Sequence, residues 1–448
     1  MEAFPIEIID QILDDMDGPI ASMESRTFVN VTVSSRKLEI FKHAFLDRSR
    51  RSNAVHRRDL VKDITLCVEL WPYPLARRHR SETDKELEEN NKHLTWAISS
   101  FLRIMSTWKK GDIALRIEVY SPTDCHHWSW ERFGDWTEKR TNGRLLRFVN
   151  VDRHFNNIRP VRCITQFGQY TGRGIHPASI GKIWKYMSNV RTIDSNLSQS
   201  DNRYKKEKEQ ERLDLGLSLA GTPFLHLTEL TLAYPHGMIL DHDFLPGSGE
   251  IVEVDQLCLA INKICQTAPL RKLQLTDGFV VSPDLFTRPE SSVMWPKIET
   301  VEINMSGLTP KGGWYTTGSN TRFWRARFNS YGNTNRLRRL ENGEVPKNPW
   351  RDSADPKEFD SLMVAVAEAL LCMKDLRSFK LGGDWFELDF EGNRLDGQNN
   401  CLKFYDYGRG KWEFSVDLRS LWSLVVKEED GGEITHRHVS SYPDDDTN

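Results

Sequence analysis

A chain of 448 residues, 28% charged and 38% hydrophobic, has apolar material for about three average domains or one elongated repeat array. Its formal net charge of -3 argues against general attraction to nucleic acid or to an anionic membrane surface. No apolar run approaches the ~20 residues of a membrane helix, so a membrane-spanning role is not expected.

The first predicted element is FPIEIIDQIL, from Phe4 to Leu13. Pro5 suits the first turn of a helix, where its missing N–H costs nothing. Ile6, Ile9, Leu13 and Met16 then share a face, Ile8 and Ile12 widen the stripe, and Gly18-Pro19 ends it. The stretch lacks the basic start and longer apolar core of a signal peptide. A second helix is predicted over Ser35 to Leu46, with Leu38, Phe41 and Phe45 at helical spacing. The segment Phe28 to Val33 between them is β-branched and fits neither period. RSRRSNAVHRR (48–58) gathers five arginines and is read as an exposed connection rather than a phosphate patch or nuclear address.

RDLVKDITLCVEL (58–70) and GDIALRIEVYSPTD (111–124) alternate as strands. Between them a charged linker, Arg77 to Glu89, leads into a helix that lines up Leu94, Ile98, Phe101, Leu102 and Met105. CHHWSW (125–130) invites a metal reading. Adjacent histidines do not share a strand face, and no second cluster has ligand spacing, so a loop with stacked aromatics is expected and no metal. GQYTGRGIHP (168–177) lacks the order of a phosphate loop and is taken as a turn ahead of a helix over 177–187. DNRYKKEKEQER (201–212) is expected to be a solvated loop or helix end.

Beyond residue 180 one frame recurs, L-x-x-L-x-L, at Leu227, Leu230, Leu232 and again at Leu270, Leu273, Leu275. Ile298, Val301, Ile303 and Leu376, Phe379, Leu381 repeat it, and Val61, Ile64, Leu66 form an imperfect earlier copy. Such a frame marks a leucine-rich repeat, one short strand plus a helix or irregular return. First residues at 227, 270, 298 and 376 are unevenly spaced, and the last interval holds GGWYTTGSNTRFW and a polar run to Pro356 with the character of an insertion. GGDWFELDFEGNRLD (382–396) collects Asp384, Glu387, Asp389, Glu391 and Asp396, which alternation with Trp385, Leu388 and Phe390 assigns to a solvated strand face rather than to acid–base chemistry. Cysteines at 67, 125, 163, 258, 265, 372 and 401 form no CxxC, as expected of free thiols in the cytoplasm or nucleus. KEEDGGEITHRHVSSYPDDDTN (427–448) has a disordered, acidic composition.

FPIEIIDQIL resembles the start of an F-box: Phe4-Pro5 stands for the usual Leu-Pro, Glu7-Ile8 for its Glu-Ile, and Ile12-Leu13 for its Ile-Leu. VKDITLCVEL, ISSFLRIMSTW, LRIEVYSPTD, IHPASIGKIW, LTLAYPHG, Trp295-Pro296, GGWY (312–315) and AVAEALLCM (365–373) follow in an order similar to the large F-box families of filamentous fungi. Past Gly18 the sequence departs from the F-box pattern, keeping Ser35-Arg36 but no Trp. The resemblance implies a substrate-recognition subunit of a cullin-type ubiquitin ligase, non-catalytic and without cofactor. Phe4, Pro5, Glu7, Ile8, Ile12 and Leu13 would bind a Skp-type adaptor, and the repeats would hold a target protein.

The expected architecture is therefore α/β. An F-box-like helical segment (1–50) precedes an irregular leucine-rich-repeat-like solenoid of short strands and helices (51–426), with insertions near 198–215 and 315–357, and a disordered acidic tail (427–448) follows. The rival reading is a non-ligase interaction scaffold whose N-terminal helix caps its own solenoid.

Overall fold

A computed structural model describes residues 28–45, 57–73, 82–109, 111–123, 144–169, 172–200, 202, 204–235, 239, 241–245, 247, 254–288, 293–318, 340–344, 351, 353–383, 385–392, 400–407, 412–428 and 431–439. It is a mixed α/β fold with mostly parallel sheet. Among the described residues it has nine helices and no closed barrel. The chain divides into two compact units, residues 1–175 with 182–196, and residues 176–181 with 197–448.

In the first unit β1 (Asn30–Ser34) leads through a 3-10 turn into α1 (Leu38–Ala44) and the short α2 (Arg57–Leu60). Then come β2 (Asp63–Glu69), α3 (Asp84–Met105), β3 (Ile113–Tyr120), α4 (Val151–Phe155), β4 (Ile164–Gln169) and β5 (Thr192–Asn196). The five strands pair in chain order, all parallel. Ile64 lies opposite Leu115 and Leu66 opposite Ile117, all at most 1% exposed, while alternate residues such as Thr65 and Arg116 face away from this core.

Thr83 caps α3 with a complete capping box to Glu86, satisfying two otherwise orphaned N–H groups. The helix therefore starts inside the stretch read as a charged linker, where acidic residues suit the positive end of the helix dipole. Leu94, Ile98, Phe101, Leu102 and Met105 are all buried, as their spacing predicts, and Phe101 stacks on Phe41 of α1 at 6.2 Å.

α5 (Pro177–Tyr186) realises the helix expected after the glycine-rich turn. The second unit continues with α6 (Lys205–Ala220), β6 (Glu229–Ala233), α7 (Gln256–Thr267), β7 (Lys272–Phe279) and β8 (Thr300–Met305). A two-stranded ribbon, β9 (Thr316–Thr317) with β10 (Ser353–Ala354), closes the base of the 315–357 segment. α8 (Pro356–Cys372), β11 (Ser378–Gly383), β12 (Phe386–Glu391), β13 (Cys401–Asp406), α9 (Val416–Val426) and β14 (Glu433–His438) complete it. β6, β7, β8 and β11 are parallel neighbours, β12 and β13 run as antiparallel hairpin strands, and β14 is parallel to β13.

The recurring apolar frame falls into register here. Leu230, Leu273, Val301 and Phe379 form one cross-strand row, and Leu232, Leu275, Ile303 and Leu381 the next, none more than 2% exposed. Unequal intervals between copies do not disturb this, because loop-closure cost grows only logarithmically with loop length.

One expectation holds in part and another needs correction. Residues 205–212 are a helix end, the first turns of α6, but Glu211 and Arg212 turn inward instead of toward solvent because polar partners wait there. Within the tail read as disordered, residues 433–438 are strand β14, since the open edge of β13 supplies backbone hydrogen bonds that composition cannot register.

Gly216 brings α6 against α7. A Cβ at this position would lie 2.7 Å from the Gln256 carbonyl carbon and 2.8 Å from its oxygen. Alanine gains about 1 kcal/mol of helix propensity over glycine. Overpacking against backbone costs about 1–3 kcal/mol and should win. Gly216→Ala is thus expected to lower the urea midpoint despite being the better helix former.

Candidate functional site

The adaptor-binding residues inferred from the sequence, Phe4, Pro5, Glu7, Ile8, Ile12 and Leu13, lie outside the described residues, as do CHHWSW and Arg48, Arg50 and Arg51. Arg57 and Arg58 of the same basic run serve the fold. Arg58 donates to the Phe45 carbonyl at 2.6 Å and lies over Trp108, and Arg57 lies over Phe28. On β12, Glu387 accepts from the Tyr407 hydroxyl at 3.0 Å and Asp389 lies 3.9 Å from Lys380, while Leu388 and Phe390 point into the core. Asp384 and Asp396 are outside the described residues.

A different site emerges at the carboxyl ends of β1 to β3, the side of a parallel sheet where ligands are usually met. Ser34 caps the 3-10 turn by accepting from the Arg36 N–H at 3.3 Å, which sets Arg36 at the rim. Its guanidinium pairs with Glu69 at 3.2 Å and lies over the Trp71 ring at 5.8 Å. Trp71 is held through its backbone, whose carbonyl accepts from Ser121 at 2.9 Å. Two residues on, the Tyr73 N–H donates to Thr123 at 2.8 Å.

Behind Trp71 a buried polar clamp fixes the same segment. Glu82 accepts from the Tyr73 hydroxyl and pairs with Arg173, and Asn90 donates to Glu82 at 2.8 Å and to the Tyr73 hydroxyl at 2.7 Å. Burial pushes the Tyr73 hydroxyl well above its ordinary pKa, so it stays a donor at any physiological pH.

From α3, His93 and Trp96 complete the rim. The His93 ring lies 6.1 Å from Trp71 and 5.6 Å from Trp96, and its Nε2 shares a 3.2 Å hydrogen bond with Ser35. Burial, and then the charge of Arg36, hold His93 below the usual histidine range, so it is neutral at pH 7. Trp71 is 58% exposed and Trp96 43%, large values for indoles anchored this firmly. Exposed indoles and a guanidinium are among the residue types that carry most binding energy at protein interfaces.

In the second unit, the loops after β6 and β8 build a smaller constellation. His242 Nδ1 accepts from the Arg351 N–H at 2.7 Å, and Arg351 lies 5.0 Å over the Trp314 ring. Burial, and then Arg351, push His242 down to about 4. Because the folded value lies below the unfolded 6.5, the unfolded chain takes up this proton first. The stabilisation is complete above pH 6.5 and is lost as pH falls toward about 4. His242→Asn keeps an acceptor for the Arg351 N–H without titrating, so denaturation curves across this window should be flatter than for the parent chain.

Deeper in this unit, Arg212 and Asp255 form a buried bidentate pair, Nε to Oδ1 at 3.1 Å and Nη2 to Oδ2 at 2.5 Å. The charge run 201–212 pointed toward solvent. The only sequence sign of the pair is Asp255 at an N-cap position before an apolar helix. The rim had a faint signal as well, a Trp-Pro directly after a strand, but His93 and Trp96 lie on a helix whose periodicity marks only its apolar face.

The six described cysteines are free thiols, and no described helix is long and apolar enough to cross a membrane. The chain matches no model of a known protein family, no curated protein and no solved structure.

Proposed function

We propose that this protein is a substrate-recognition subunit of a cullin-type ubiquitin ligase, an F-box receptor with a leucine-rich-repeat-like body. In this reading the N-terminal helix binds a Skp-type adaptor by a helix-in-groove contact, and the body holds a target protein for modification by other subunits. Phe4, Pro5, Ile8, Ile12 and Leu13 are the apolar anchors, with Glu7 beside them. The chain itself is non-catalytic and works in the cytoplasm or nucleus. The observation that carries the body of this reading is the common register of the apolar frames, one helix-facing side buried and the opposite side polar. One sheet face left to solvent is how repeat proteins offer an extended binding surface.

The test is co-purification of the full chain with a Skp-type adaptor. A stoichiometric complex is expected, and Pro5→Asp with Ile8→Asp should weaken it at least ~100-fold while the melting curve stays unchanged. Absence of a complex with the folded full chain would overturn the ligase role.

The scaffold reading keeps one supporting observation. β1 is the terminal strand of the first unit's sheet and follows directly on the N-terminal segment, where a repeat array needs a cap. It requires deletion of residues 1–20 to destabilise the body, whereas the receptor reading requires that deletion to be nearly neutral.

A further inference from the structure

We propose that the outward sheet face of the first unit, with the Trp71–Trp96 rim, is a docking surface for an extended, basic segment of a partner protein. The inference does not depend on the ligase reading, since the surface and the N-terminal helix share no residue.

Charge complementarity identifies the occupant. The residues of β2 to β5 that face away from the core include Asp63, Glu118 and Asp194 against one cation, Arg116, while Glu69 at the end of β2 is already paired with Arg36. The surplus of carboxylates repels a phosphate backbone and attracts lysine or arginine side chains. The face is also shaped: Asn30, Val31, Thr32, Asp63, Thr65 and Arg116 line a cavity of about 380 Å³. From Thr65 to Trp71 along β2 the path is about 20 Å, the reach of roughly six residues of extended peptide.

At the far end of that path stands Trp71, and across the His93 ring from it, on α3, lies Trp96. Exposed tryptophan is costly to leave in water, and the ring face is the best neutral partner for a cation. Arg36 already occupies one such position over Trp71 and satisfies Glu69, which shows that the local geometry accepts a guanidinium between ring and carboxylate. Trp96 offers a second indole, and two turns before it Glu88 and Glu89 share one cation, Lys92, at 2.9 and 3.1 Å. A basic side chain of the partner would lie over Trp96 while its neighbours run down the carboxylate-bearing face.

The experiment uses the full chain and two fluorescein-labelled dodecapeptides, one alternating Arg and Ser, the other alternating Glu and Ser, followed by anisotropy at low and high salt. The Arg peptide is expected to bind, more weakly at high salt, and the Glu peptide not to bind. Trp71→Ala with Trp96→Ala, and separately Asp63→Asn with Glu118→Gln, should each weaken binding roughly tenfold. Hydrogen exchange on the unaltered chain provides a readout free of folding effects, with protection expected at residues 63–71 and 93–96 on addition of the Arg peptide. Failure of the Arg peptide to bind, equal binding of both peptides, indifference to the tryptophan pair, or protection confined to other segments would each overturn the proposal. Adaptor binding, measured in the same preparation, stands or falls separately.

Discussion

Asp255→Asn is expected to lower the unfolding free energy by about 3–5 kcal/mol, the usual cost of leaving one member of a buried ion pair without its partner. Asp255 is 4% exposed at its side chain and Arg212 16%. Once the carboxylate is gone, Arg212 retains the Val280 carbonyl at 2.8 Å, a Cys258 sulfur at 3.6 Å and the Phe279 ring face, none of them an anion. The asparagine still caps α7, because the cap needs only a side-chain oxygen for the Leu257 N–H. The loss therefore reports the charge pair and not the helix end. Arg212→Met combined with Asp255→Ser removes both charges and keeps a capping oxygen, so that chain should be more stable than Asp255→Asn alone. Equilibrium urea denaturation distinguishes the two.

The pH dependence of the same pair has a fixed sign. Burial alone would raise the Asp255 carboxyl, but the charge of Arg212 and its two hydrogen bonds outweigh burial and hold it below the usual carboxylate range. A depressed folded value means that the stabilisation is complete above the ordinary value of 3.8 and is lost as pH falls through the folded one. The gap in stability between the parent chain and Asp255→Asn should accordingly close only in strong acid.

Trp295→Ala is the second large effect, about 3–5 kcal/mol for emptying a fully buried indole site. Trp295 is 0% exposed and lies 5.9 Å from the Phe286 ring. Its backbone N–H donates to Gln266 at 2.9 Å and its indole N–H to Asn262 at 2.9 Å, so one residue ties the approach to β8 onto α7. Its φ of +46° is a left-handed conformation that a bulky residue adopts only when its surroundings over-determine it. Trp295→Phe keeps most of the packing but takes the indole donor from the buried Asn262 oxygen, at about 1–3 kcal/mol. In urea titrations both variants should shift the midpoint with little change in slope, alanine the further.

How much of this was legible without coordinates depends on the range of each interaction. The frames at Leu227 to Leu232, Leu270 to Leu275, Ile298 to Ile303 and Leu376 to Leu381 announce themselves, since strand burial has a period of two residues and shows in six letters. β5 carries no such signal because Ser195 stands where an apolar residue would, and it is buried all the same, within 3.5 Å of Gln169. Glu211 and Arg212 mislead for the opposite reason. A dense charge run is solvated unless partners elsewhere satisfy it, and here the Ser200 N–H and hydroxyl donate to Glu211 while Asp255 pairs with Arg212. The rim was hidden in the same way: Arg36, Trp71, His93 and Trp96 come from a turn, a strand end and a helix, and no local spacing links them.

The amino-acid sequence by itself determined the alternation of short strands and amphipathic helices, the cap and core face of α3, and the burial of the repeated apolar frames. These follow from periodicity and capping, which act within one or two turns of chain. Only the tertiary structure decided which strands are neighbours, which charges are buried as pairs, and where two tryptophans stay exposed beside a carboxylate-bearing face. Those outcomes depend on residues tens of positions apart sharing one desolvated or one open environment, and a local pattern carries no term for that.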